Sequence, residues 1–244
     1  MTVEEFSNEF DVLYNNISSN NAPGLDEYEK SVFLTKAQDE IVNNYFNPKG
    51  NKYGEGFDDN QKRQIDFLNL VQIKKLDAAT SPLITKLDDR SSLYTFPTDT
   101  LFVINESVNG VKNGVKKLVN VLPINFKEYS RLIQKPYKLP YKNQAWRLIN
   151  NSSSNKAIEV IIDPNVFIKD YVVKYVKKPS PIVLTNLSSK FDGEGLSIEG
   201  VTTYQTCELD DSIHQEVLQR AVELAKSFYE GNINSVIELG KRSE

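Results

Sequence analysis

The stretch YVVKYVKKPSPIVL, Tyr171 to Leu184, starts as an aromatic and β-branched run and stops at two prolines. Such a run reads as a strand, and Pro179 and Pro181, which have no N–H to give a ladder, end it; on its own it reads as an edge strand. After a polar gap, Asp210-Asp211-Ser212-Ile213-His214 leads into Ile213, Val217, Leu218, Ala221, Val222, Leu224, Ala225 and Phe228 at helical spacing, with Gly231 as the stop. A strand that hands the chain to a terminal helix divides the sequence into two kinds of territory.

Upstream of Tyr171 the period is two from Leu93 onward, in the runs LYTF, TLFVI, KLVNVLPI, AWRLIN and AIEVII. Asn109-Gly110 and Asn113-Gly114 read as tight turns, NNSSSN at 150–155 as a hairpin-like connection, and Asn125 with Glu128 as the opening of a short inserted helix, FKEYSRLIQ. Before Leu93 the period is helical. Val3, Phe6, Phe10, Leu13, Tyr14 and Ile17 share one face, and Thr2 with Glu5 has capping-box spacing. Asp26 with Glu29 repeats that spacing ahead of a second helix, about 27–46, which the glycine-rich NPKGNKYGEG closes. A weaker third helix is expected from Asn60 to about Leu76, with Lys74 and Lys75 suited to its negative end.

The fold class is therefore α+β, with N-terminal and C-terminal helices packed around a mainly antiparallel β middle. One domain, 1–244, is expected: a helical part at 1–80, a β-rich part at 90–185 with the short inserted helix, a flexible insertion at 186–206, the C-terminal helix at 207–232 and a tail at 233–244.

Composition excludes several function classes. The net charge of −4 argues against a general phosphate-binding surface. No run approaches the roughly 18 apolar residues of a membrane span, and MTVEEFSNEF is acidic where a secretory leader is basic and then apolar. A protein that stays soluble where it is made is expected, with no membrane partner. Cys207 and His214 are the sole residues of their types, so neither a disulfide nor a Cys-based zinc site can form within the chain.

Chemical motifs are sparse. The GEG triplets at 54–56 and 193–195 lack the strand–loop–helix setting and the Lys-Ser/Thr of a phosphate loop. Cys207 and His214 lack an oxyanion or orienting motif, so they read as a small, partly buried thiol and a solvated first-turn histidine. Asp58-Asp59 and Asp210-Asp211 precede helices, where carboxylates cap N–H groups, and Asp88-Asp89 has no supporting ligand pattern. No catalytic, cofactor-binding or metal-binding residue is assigned. Lysines at 112, 116, 117, 135, 138, 142, 174, 177 and 178, interleaved with Tyr129, Tyr137, Tyr141 and Tyr175, fit nucleic-acid contacts or protein interfaces, and the acidic balance favours the latter.

This order of parts resembles the head-to-tail adaptor proteins of tailed bacteriophages. The matching residues are Tyr175, Pro179, Leu209, His214, Val217, Leu218, Ala221 and Val222. More narrowly, APGLDEYEKSVFLTKAQDEIVNNYF and PYKLPYKNQAWRL look like segments of virion ring proteins of crAss-like podophages. The polar insertion LSSKFDGEGLSIEGVTTYQT, 187–206, departs from the adaptor pattern by lengthening the link before the last helix.

The resemblance implies a structural virion protein of the neck or tail, made in the host bacterial cytoplasm. It would form a homo-oligomeric ring of about twelve copies, join the portal and other ring or tail proteins, and surround DNA that passes without sequence recognition. The alternative is an assembly chaperone or soluble adaptor absent from the finished particle. Under either reading the interface candidates are Tyr137, Tyr141, Trp146, Tyr175, Lys177, Lys178 and Phe191, and segments 47–57 and 187–200 are expected to order only on contact with a neighbour.

Overall fold

A computed structural model describes residues 1–17, 24–46, 61–77, 84–86, 90–135, 140, 143–150, 157–188 and 195–230. The chain divides into two compact units: Met1–Leu70 together with Pro179–Glu244, and Val71–Lys178. The first is helical and built from both ends of the sequence, and the second is a sheet.

In the helical unit, both capping boxes close as their spacing predicts. Ahead of α1 (Val3–Ile17), the Glu5 N–H donates to Thr2 Oγ1 at 3.2 Å and the Thr2 N–H to Glu5 Oε2 at 2.7 Å. Ahead of α2 (Glu27–Phe46), Asp26 and Glu29 exchange the same two bonds at 2.8 and 3.1 Å. Each box satisfies two N–H groups that the first helical turn leaves without partners. After the short α3 (Gln61–Asp66) and a 3-10 turn at Leu68–Leu70, the chain leaves for the sheet and returns to end in α5 (His214–Glu230). Phe6, Phe10 and Tyr14 of α1, Leu34, Ala37 and Val42 of α2, and Val217, Leu218, Ala221 and Ala225 of α5 form the buried faces. Arg220, itself buried, forks onto Glu40 at 2.6 and 3.0 Å and so ties α5 to α2.

One face of α2 is polar and yet buried. Ser31, Thr35 and Gln38 lie on it at helical spacing, and they meet the backbone of Ser180–Leu184, the proline-punctuated end of the stretch YVVKYVKKPSPIVL. The Ile182 N–H donates to Thr35 Oγ1 at 3.1 Å, the Leu184 N–H to Ser31 Oγ at 2.9 Å, and Gln38 Nε2 to the Ser180 carbonyl at 2.8 Å. Between them the Val183 N–H donates to the Gln205 carbonyl at 2.9 Å, and the Ser180 N–H to Glu208 Oε2 at 3.0 Å. Pro179 and Pro181 have no N–H to place. Every backbone donor from 179 to 184 is thus accounted for, which is what allows the segment to be buried without a sheet around it.

The sheet unit holds β1 (Val71–Asp77), β2 (Ile84–Lys86), β3 (Ser91–Thr95), β4 (Thr100–Lys112), β5 (Val115–Pro123), α4 (Phe126–Ile133), β6 (Gln144–Asn150), β7 (Ala157–Ile161) and β8 (Phe167–Lys177). Its strand order is β1-β8-β4-β5-β6-β7-β3-β2, and only β5 and β6 pair in parallel, with α4 in the connection between them. The expected α+β class with a mainly antiparallel middle is what the chain adopts. Laid flat, eight strands would hold β1 and β2 about 34 Å apart. The chain from Asp77 to Ile84 reaches at most about 25 Å, so the sheet must curl. Its concave face carries the main core, with Tyr94, Val108, Val119, Ala145, Ile158, Val160, Tyr171 and Val173 all buried. The opposite face packs Trp146, Leu148 and Ile161 under Tyr129 and Leu132 of α4.

Five local expectations change. Residues 71–77 are strand rather than the end of a third helix, because they pair with β8 from Val71 opposite Val176 to Asp77 opposite Asp170, a non-local bond set that outweighs weak helical periodicity. Lys75, assigned to a helix end, instead makes an ion pair with the buried Asp170 at 3.1 Å. β8 is not an edge strand: it has β1 on one side and β4 on the other, and its prolines lie beyond the paired residues. Of the two Asn-Gly turns, Asn113-Gly114 is one, with φ of 51° and 77°, whereas Asn109-Gly110 lies inside β4 at a register shift against β8. Finally, Leu187 and Ile198 of the expected flexible insertion are buried with Val183. That part of 187–206 is packed within the chain itself. The glycine-rich 47–57 and the connection 151–156 lie outside the described residues.

Gly110 is needed for space. A Cβ there would lie 2.4 Å from Val166 Cγ1, inside the main core. Gly110→Ala is expected to cost about 1–3 kcal/mol through forced repacking. The check is the urea midpoint followed by the fluorescence of Trp146, the single tryptophan, which lies in this unit.

Candidate assembly surfaces

The groups with the most chemical potential are structural. His214 is buried rather than solvated: Nε2–H donates to the Leu209 carbonyl at 3.1 Å, and Nδ1 lies 2.8 Å from the Met1 amino nitrogen. Burial, reinforced by the nearby amino group, lowers its pKa, so the ring is neutral. The Cys207 thiol is buried, donates to Gln38 Oε1 at 3.2 Å, and is pushed up to about 12 by desolvation, the reverse of an activated nucleophile. Asp210 caps the turn into α5 by accepting the Ser212 N–H at 3.0 Å. Among the described residues there is no group of three or more His, Cys, Asp or Glu side chains placed to hold a metal ion, and no helix is long and apolar enough to cross a membrane. Asp58-Asp59 and Asp88-Asp89 lie outside the described residues.

The residues behind the adaptor resemblance are core residues: Tyr175, Pro179, Leu209, His214, Val217, Leu218, Ala221 and Val222 are all buried. The pattern therefore records how the two units are built and not a binding surface. Among the interface candidates, Trp146 is 6% exposed beneath α4, and Tyr175 is 4% exposed with its hydroxyl 3.4 Å from Asp99 Oδ1. Lys177 is half-buried and Lys178 exposed at the end of β8, where the Lys178 N–H donates to the Asp99 carbonyl at 2.7 Å. Tyr137, Tyr141 and Phe191 lie outside the described residues.

A surface that the sequence reading passed over is on the convex side of the sheet. Leu118 and Leu122 of β5 point away from the main core and are 63% and 42% exposed; register sets Leu122 beside Trp146, on the face α4 covers. On α4, Phe126 and Ile133 lie two turns apart beside the stripe of the packed Tyr129 and Leu132, and are 61% and 49% exposed. The same elements expose Lys116, Lys127 and Arg131. The available signal was the broken alternation of KLVNVLPI, in which Leu118 and Leu122 fall on the opposite parity to Val119 and Val121 and make both faces of the strand apolar.

An ion pair ties the end of β4 to the β7–β8 connection. Lys112, next to the β4–β5 turn, pairs with Asp163 at 2.8 Å, and that carboxylate also accepts the Asn165 N–H at 3.0 Å. These bonds hold the Asp163 pKa at about 2, below its ordinary 3.8. The folded carboxyl binds its proton more weakly than the unfolded one, so its contribution is complete above about pH 4 and is lost as the pH falls through 3.8 toward 2. After allowance for solvent screening, Asp163→Asn should cost about 1 kcal/mol at pH 7 and almost nothing near pH 2, read from urea midpoints at the two pH values.

Comparison with known proteins agrees across the whole length. The family model described as phage tail ring protein 3/4 matches residues 1–235. "Ring protein 4/5" of Bacteroides phage crAss001 is 53% identical over 244 residues, covering 100% of both chains. "Ring protein 3" of the same phage is 31% identical over 231 residues, 92% of this chain and 95% of that one.

Proposed function

This chain belongs to the phage tail ring protein 3/4 family, and on that footing we propose that it is a structural virion protein whose copies form a closed ring in the neck or tail, joining the portal to the tail around the DNA channel. The observation that carries the reading is the match to ring proteins over essentially the full length, including 53% identity to a relative of the same size. The burial of the chain's one histidine and one cysteine in structural contacts supports a role without catalysis. Ring closure needs two different, mutually complementary surfaces on each copy, because an interface that pairs a surface with itself stops at a dimer. About twelve copies, the portal, and other ring or tail proteins are the partners of this reading, with DNA passing and not read.

Mass spectrometry of purified virions together with electron microscopy of the purified protein tests it. The chain in the particle and rings in the preparation are the expected result. Absence from virions that carry complete, infectious tails would favour the assembly-chaperone alternative.

A further inference from the structure

The net charge of −4 conceals a strong division. The sheet unit, Val71–Lys178, has 18 Lys and Arg against 9 Asp and Glu, a net charge of +9; the helical unit, from the two remaining segments, has 11 against 24, a net charge of −13. The basic excess is dense at the apolar convex surface. Between Val115 and Lys135 five residues are Lys or Arg and one, Glu128, is acidic. The helical unit exposes the opposite sign, with Glu4 and Glu5 in the first turn of α1 and Glu216 on α5, and it also exposes an apolar side chain, the 58% exposed Val12, about two turns further along α1.

We infer that the convex β5–α4 surface of one copy docks on the acidic helical unit of the next, and that this contact between unlike units closes the ring. The inference deepens the ring reading and rests on it. Two copies meeting sheet unit to sheet unit, or helical unit to helical unit, would bring like charges together, which costs several kcal/mol at an interface. Sheet-to-helix contact brings +9 to −13 and is heterologous, the arrangement from which rings are made. The surface also has the composition of a protein interface: Leu118, Leu122, Phe126 and Ile133 at its apolar centre, Lys116, Lys127 and Arg131 around it. A site built only for DNA has no use for four exposed apolar side chains, and the acidic unit of the same chain repels a polyanion.

The experiment is zero-length carbodiimide cross-linking of the full chain, with isotopically labelled and unlabelled copies mixed so that links between copies are identified by mass. Amide links from Lys116, Lys117 or Lys127 to carboxylates within 1–70 or 179–244 of another copy are expected in the ring fraction and not in the monomer fraction. A K116E/K127E/R131E variant, with its Trp146 unfolding transition unchanged, should need at least tenfold more protein to form rings. Raising the salt from about 50 mM to 500 mM, where the Debye length falls to about 4–5 Å, should weaken wild-type rings by a similar factor and ease the repulsion built into the variant, so that the gap between the two narrows. Wild-type rings indifferent to salt and to the reversal, or cross-linked only within like units, would overturn this inference while leaving the ring reading intact. If the reversal instead removed only adsorption to duplex DNA, the inference would fail and the surface would belong to DNA. No rings at any salt would remove the ring reading itself.

Discussion

Glu106→Ala is expected to destabilise the sheet unit by about 3–5 kcal/mol, the cost of leaving a buried charge without its partner. Glu106 lies on β4 with its side chain 4% exposed, in an ion pair with Arg147 of β6 at 3.3 Å, and it accepts the hydroxyl proton of the fully buried Tyr171 of β8. Arg147 reaches Glu106 past the intervening β5, a contact that a curled sheet permits across its concave side. Alanine would strand both the guanidinium and the hydroxyl. Glu106→Gln keeps an acceptor for Tyr171, and the counter-charge it takes from Arg147 is offset by removal of a carboxylate charge that burial disfavours, so a change within about 1 kcal/mol at pH 7 is expected. Burial raises the Glu106 pKa above 4.5, with Tyr171 and Arg147 opposing the rise. The folded carboxyl therefore holds its proton more tightly than the unfolded one. The stability that proton uptake contributes is complete below 4.5 and is lost as pH rises through the folded value. The wild type therefore gains on Glu106→Gln as the pH is lowered. Urea titrations followed by Trp146 at several pH values measure the order of the variants and the slope; equal midpoints for Glu106→Ala and wild type would show that the network contributes nothing.

How far the sequence announced this architecture depends on the range of the forces involved. The two capping boxes were legible because each is settled within four residues, and both close as spaced. The runs that became β3 to β8 were legible from alternation, since the concave face needs apolar side chains at every second position. β1 was not. Lys74 and Lys75 make VQIKKLD look like a basic helix end, and only pairing with β8, about a hundred residues away, makes it a strand. β8 was recognised as a strand but misjudged as an edge for the same reason, since prolines past its end say nothing about its neighbours. Gly110 matched a turn dipeptide, and its actual constraint is the Val166 side chain against its Cα. For the surfaces, a single sequence marks aromatic and lysine residues but not their burial. Trp146 and Tyr175 stood out by type and proved to be covered, while Leu118 and Leu122 looked like ordinary core and are exposed.

The polar face of α2 was equally hard to foresee, and it carries the second large effect. The Ser31→Ala/Thr35→Val double substitution is expected to destabilise the helical unit by about 2–6 kcal/mol, at 1–3 kcal/mol for each of the two buried donors left without a partner. Ile182 and Leu184 are 0% and 5% exposed, and their N–H groups find their acceptors in the two hydroxyls. Water does not reach them to compensate. On a helical wheel the substitutions make α2 more regularly apolar, and both new residues suit a buried face, so a reading based on hydrophobicity alone would call them stabilising. The satisfaction of backbone donors argues the opposite sign. Lys36→Ala, on the exposed side of the same helix, is the matched control and should stay within about 0.5 kcal/mol of wild type. Far-UV circular dichroism melts report the helical unit, and amide hydrogen exchange at Ile182 and Leu184 reports the bonds themselves. Faster exchange at those two amides with a lowered melting temperature is the expected pair of results. A double variant as stable as the control would mean that the proline-punctuated segment is held by its apolar side chains alone.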